Sequence, residues 1–138
     1  MSAKDKFHEV VKLALEKDGW TITDDPLYIT VGTVQMRIDL GAEKLLAAEK
    51  DGEKIAVEIK SFLKASAITD FHVALGQFLN YRTGLREKDP ERKLYLAVDI
   101  ITYNDFFILP FTQLQIQEYK LKLVIYDTDT EEIVRWIS

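Results

Sequence analysis

Lys54-Ile55-Ala56-Val57-Glu58-Ile59-Lys60 carries the clearest strand signal in this chain. Side chains alternate along a strand, so Glu58 and Lys60 share one face while Val57 and Ile59 share the other. An acid and an amine then stand side by side on a sheet that is otherwise apolar. Just before this run, Asp51-Gly52 is a strong hairpin signal. Ahead of that turn, Ala42 to Lys50 (AEKLLAAEK) has helical composition. It suits either a short helix or a strand that ends in the turn.

Moving toward the N-terminus, Val34 to Leu40 alternates and reads as a strand carrying Asp39 near its end. Tyr28 to Val31 is a further strand candidate, closed by Gly32. Trp20 to Thr23 alternates as well, and Asp24-Asp25-Pro26 follows as a turn. The first element is a helix over about residues 3 to 18, capped by Ser2 and stopped by Gly19. Phe7, Val10, Val11, Ala14 and Leu15 form its apolar face.

Toward the C-terminus, a second helix begins at Ala67 or Thr69 and runs to Arg86, with Phe71, Ala74, Leu75, Phe78 and Leu79 at helical spacing. Asp89-Pro90 ends that segment, and Arg92 to Val98 is an apolar strand. Tyr103 to Leu109 is expected to pair or pack nearby, and Pro110 opens a third helix of about ten residues. Lys122 to Asp127 and Glu132 to Ile137 are strands separated by a polar turn. The order predicts an α/β fold, a mixed β-sheet flanked by helices.

The chain has 138 residues, so one domain over 1–138 is expected. There is no cysteine, which removes disulfides, thiol nucleophiles and thiolate zinc sites from consideration. That usage fits a cytoplasmic protein. No signal peptide and no membrane-spanning segment are expected from the sequence. The net charge of −5 argues against a protein that coats nucleic acid non-specifically, because such binding rests on neutralising phosphates. It leaves room for a nuclease, whose metal-binding acids lower the net charge while a local basic rim meets the substrate.

Asp39 precedes Glu58 by 19 residues, and a hairpin at Asp51-Gly52 can return the chain so that the two carboxylates face each other. Two carboxylates suit a hard divalent cation such as Mg²⁺ or Mn²⁺. Such a cation acidifies a bound water and neutralises phosphate charge. A neighbouring lysine, here Lys60, orients or helps deprotonate that water, or steadies the developing charge. This is the chemistry of phosphodiester hydrolysis. Alone, an E-x-K triplet on a strand equally suits a solvated ion pair on an exposed face.

Ile38-Asp39, then Glu58-Ile59-Lys60, then Gln77-Phe78-Leu79-Asn80-Tyr81 resembles the D…ExK…QxxxY layout of PD-(D/E)XK nucleases. The resemblance implies a restriction-endonuclease-like fold, with Asp39 and Glu58 as metal ligands and Asp39, Glu58 and Lys60 as catalytic residues. Gln77 and Tyr81, at i and i+4 on one helix face, would support the site; the alternative is a surface hydrogen bond with Tyr81 partly packed. Leu15 to Trp20 (LEKDGW) looks like the helix ending of the resolvase-like members. Those members carry a metal-supporting acid seven residues before that leucine, where this chain has His8; it stands at the edge of the apolar stripe, and the resemblance implies that it faces and supports the site, against the blander reading of a polar edge residue. Ile38 likewise stands where the family's proline would be.

A narrower resemblance covers most of the chain. AKDKFHEVVKLALEKDGWTITDDPL, IDLGAEKLLAAEKDGEKIAVEIKSF, ALGQFLNYR and LYLAV are similar to the XisH-like fdxN element excision controlling factors of cyanobacteria. That resemblance implies a role in excising a DNA element during heterocyst differentiation. It implies DNA, an XisI-like protein and a site-specific recombinase as partners. The nuclease likeness further implies a homodimer, since two strands need two sites. Two readings stand side by side: a metal-dependent endonuclease, and a catalytically silent nuclease-fold adaptor that directs the recombinase. Lys64, Arg82, Arg86, Lys88, Arg92 and Lys93 are candidates for a phosphate-facing rim, against the blander reading of solvated charges.

Overall fold

A computed structural model describes residues 3–36, 44–62 and 66–138 of the chain. Six strands form one mixed sheet in the order β1-β4-β5-β6-β7-β8. They are β1 Thr21–Asp24, β4 Lys44–Lys50, β5 Glu53–Ile59, β6 Lys93–Asp99, β7 Leu123–Asp127 and β8 Glu132–Ile137. The central pairs β5–β6 and β6–β7 are parallel, and the outer pairs are antiparallel. A separate two-stranded ribbon joins β2 Ile29–Val31 to β3 Val34–Met36. The helices are α1 Ala3–Lys17, α2 Ala67–Lys88, the short α3 Ile100–Thr102 and α4 Pro110–Tyr119.

Ala42 to Lys50 resolves as a strand over its described part. Its helix-forming alanines, leucines and lysines are overruled by pairing on both sides, with β1 and with β5. Leu45, Leu46, Ala47 and Ala48 are all fully buried, so the segment is covered on both faces as a central strand must be. The Asp51-Gly52 hairpin forms as expected. Both residues have positive φ, 50° and 83°, which gives the backbone twist that flanking strands accept. Tyr103 to Leu109 contributes no strand: Tyr103–Phe107 is a π-helical turn after α3. Its rings pack inward, with Phe107 edge-on to Phe71 at 5.6 Å.

The sheet separates two cores. On one face, Val10, Val11, Ala14 and Leu15 of α1 pack on Leu46, Ala48, Val57 and Ile59. On the other, Phe71, Ala74, Phe78, Tyr81 and Leu85 of α2 pack with Leu45, Ala56, Leu94 and Leu96. Helix α2 starts where Ser66 accepts a hydrogen bond from the Thr69 backbone N–H at 3.3 Å. Its far end is tied down by Asp89, whose carboxylate lies 2.7 Å from Lys54 Nζ and 3.1 Å from Arg92 Nε.

Candidate functional site

Strand parity places Glu58 on the α2 side of the sheet. It lies opposite Leu45 of β4 and Leu96 of β6, both members of the α2 core. Its side chain is 0% exposed. Lys60 follows just past the end of β5 and is 6% exposed, and Ser61 next to it is also buried. Burying an ionisable group strands it from water, so such residues persist where they are paired or where they work. Among the described residues, the buried polar set is His8, Glu58, Lys60, Ser61, Asp70 and Thr112. Four of these six fall between the end of β5 and the first turn of α2, so one edge of the sheet gathers most of the buried polarity.

The hairpin partner of Glu58 is β4, with Leu45 directly across from it. The expected counterpart, Asp39, lies outside the described residues, as do Ile38 and Lys64. Asp70 was not anticipated from the sequence. It is 1% exposed and sits in the first turn of α2, where a carboxylate is favoured by the positive end of the helix dipole. Asp70, Ala74, Gln77 and Tyr81 recur at i, i+4, i+7 and i+11, which is one stripe of the helix. Its signal in the sequence was an acid aligned with that stripe. Tyr81 is buried in the α2 core rather than lying on the surface, and Gln77 is half-buried. The Gln77 Oε1 is sealed from water and finds no hydrogen-bond partner among the described residues.

His8 is engaged elsewhere. It is buried on α1, whose apolar face covers the opposite side of the sheet from Glu58. Its Nε2 lies 3.0 Å from Asp25 Oδ1, and Lys12 Nζ lies 2.9 Å from Asp25 Oδ2. Burial alone would push the Asp25 carboxyl up, but hydrogen bonds from Lys12 and His8, and their charges, outweigh it and hold it below its ordinary value. His8 thus belongs to a cluster that ties α1 to the segment after β1.

The donor chemistry fits a hard cation: Glu58 offers carboxylate oxygens at the end of a rigid strand, and Asp70 is a second buried carboxylate on the same side of the sheet. Among the described residues, no group of three or more histidines, aspartates or glutamates is arranged to hold a metal ion. No helix among them is long and apolar enough to cross a membrane.

Comparison with known proteins follows the same lines. A crystal structure of an XisH family protein from Nostoc punctiforme PCC 73102 is 57% identical, covers 97% of this chain and 100% of its own, and superposes with a TM-score of 0.90. The structure of an fdxN element excision controlling factor protein from Anabaena variabilis is 56% identical, with coverage of 97% and 99% and a TM-score of 0.90. No curated protein matches. The family model described as XisH protein matches residues 1–134, and this chain therefore belongs to the XisH family.

Proposed function

We propose that this protein is a DNA element excision controlling factor whose nuclease-like domain hydrolyses phosphodiester bonds in DNA with the help of Mg²⁺ or Mn²⁺. The observation that carries this reading is the wholly buried Glu58 with Lys60 two residues on, at the end of a central strand on an otherwise apolar sheet face. The excision role follows the Anabaena variabilis relative, which is described as an fdxN element excision controlling factor. Asp39 and Glu58 would hold the cation, which supplies charge neutralisation at the phosphate and a more acidic water. Glu58 is held by strand pairing on both sides, so its carboxylate is aimed without reorganisation. Lys60 positions the attacking water and steadies charge on the phosphate. Gln77 and Tyr81, on the α2 stripe that also carries Asp70, would support the site.

Titrating Mn²⁺ calorimetrically into the wild type, Glu58→Gln and Asp39→Asn tests the assignment. Binding by the wild type alone is expected, with cleavage of duplex or branched DNA lost in both variants. Lys60→Ala should keep metal binding and slow cleavage by about 10²- to 10³-fold. Cleavage that survives both carboxylate substitutions would falsify the reading.

A second reading is favoured by His8. The histidine occupies the position where resolvase-like nucleases place an acid, and it is committed to Asp25 on the other side of the sheet. Under this reading the domain is catalytically silent and directs a recombinase together with an XisI-like partner. A stoichiometric complex with that partner, with no cleavage under any divalent metal, would select it.

A further inference from the structure

At the opposite end of the parallel strands from Lys60, a groove of about 190 Å³ opens between α2 and the starts of β6 and β7. Arg82, Arg86, Arg92, Lys93, Lys120 and Lys122 line it, and no acid does. The chain has 18 basic and 23 acidic residues, so a third of its cations converge on one small concavity against the overall charge. Phe78 and Leu94 give the groove an apolar floor, which keeps the local dielectric low and strengthens the field of the cations.

Two of the cations are fixed by the fold. Arg82 donates to the carbonyl oxygen of Tyr119 at 2.6 Å, and Arg92 donates to Asp89 at 3.1 Å and to the carbonyl of Ile55 at 2.9 Å. They rigidify the walls; Arg82 keeps its charge, while that of Arg92 is offset by Asp89. Arg86, Lys93, Lys120 and Lys122 take part in no ion pair among the described residues. Lys120 is held in a left-handed conformation at the end of α4, with φ 53°, and is exposed. Like charges gathered this way repel one another, so the arrangement calls for a polyanion.

We infer that this groove is a phosphate-backbone site for DNA, separate from the Glu58 edge. It rests on the proposed function only in taking DNA as the polyanion. Lys93 pairs in register with Ile55, three residues before Glu58 on β5. At about 3.3 Å per residue, groove and carboxylate are about 10 Å apart along the strand. The groove would hold the DNA backbone while the other end of the sheet carries the chemistry.

The test is fluorescence anisotropy with a short labelled DNA duplex across a salt series. The proteins are the wild type, the triple variant Lys93→Gln/Lys120→Gln/Lys122→Gln, the control Lys6→Gln/Lys17→Gln, and Glu58→Gln, each checked for native far-UV circular dichroism. The triple variant should lose at least about tenfold in affinity near 100 mM salt, and its slope of log affinity against log salt should flatten by about 2 to 3. The control should bind as the wild type does. The inference is overturned by any of three results. The wild type ignores the duplex at low salt; the control weakens binding as much per charge removed; or polyglutamate of equal charge displaces the duplex as well as unlabelled DNA does, which would point to an acidic protein instead. A groove variant that loses DNA binding while Glu58→Gln still cleaves would leave this site standing and remove the nuclease assignment. Unchanged binding by the triple variant beside loss of cleavage in Glu58→Gln would do the reverse.

Discussion

The two faces of the central sheet are built from the same strands to different ends. On the α1 face, β4 and β5 present Leu46, Ala48, Val57 and Ile59, all buried and all apolar. On the α2 face, the same strands present Leu45 and Ala56 and then break the pattern with Glu58, a carboxylate with no exposed surface. A one-residue step along β5 thus separates a face that only stabilises from one that also carries ionisable groups. Apolar burial contributes stability in proportion to area removed from water. A buried charge does the opposite unless it is compensated, and is weak evidence for stability even then. The α1 face has the composition of a foundation, and the α2 edge that of a site.

Truncation should expose this contrast most strongly. Leu46→Ala removes a fully buried side chain from the α1 face, and a cost of about 2 to 5 kcal/mol in unfolding free energy is expected from chemical denaturation. Glu58→Gln keeps the size of the side chain on the other sheet face, and should cost less stability than Leu46→Ala while removing metal binding. Equal losses of stability in the two variants would mean that Glu58 is a structural residue, and the distinction between the faces would collapse.

Much of this asymmetry was legible in the sequence. Period-2 alternation in Lys54 to Lys60 put Glu58 and Lys60 on a shared face, and the Asp51-Gly52 turn predicted the hairpin that β4 and β5 form. The identity of the hairpin partner was open, because Ala42 to Lys50 is made of helix formers. Only pairing partners on both edges, distant in sequence, make it a strand. Tyr103 to Leu109, expected to pair or pack nearby, packs: its rings meet Phe71 from a π-helical turn, and no strand is needed to bury them. Asp70 escaped notice because acids are ordinary in the first turn of a helix, and its burial depends on how α2 lies on the sheet. His8 is legible as an edge residue of α1, whereas its partner Asp25 belongs to a different segment whose sequence signals only a turn.

The smaller effects concern how each helix is fastened to the sheet, and acid separates them. Asp25 fastens α1 through Lys12 and His8, and Asp89 fastens the end of α2 to β5 and β6 through Lys54 and Arg92. Asp25 is held low by its hydrogen bonds against the opposing effect of burial. Asp89 is held low first by its hydrogen bond from Lys54 and then by Arg92, again against burial. A carboxyl lowered in the folded state from its ordinary 3.8 contributes stability that is present above that value and lost as pH falls through the lowered one. Both fasteners should therefore release below about pH 4, each worth less than about 1 kcal/mol because the pairs are partly solvated. Asp89→Asn and Asp25→Asn should each flatten part of the acid limb of a stability–pH curve, measured by urea unfolding between pH 2 and 6. A flattened limb in Asp89→Asn but not in Asp25→Asn would mean that α1 is held by its apolar face alone. Buried His8, with its partners Lys12 and Asp25, would then need a role other than fastening.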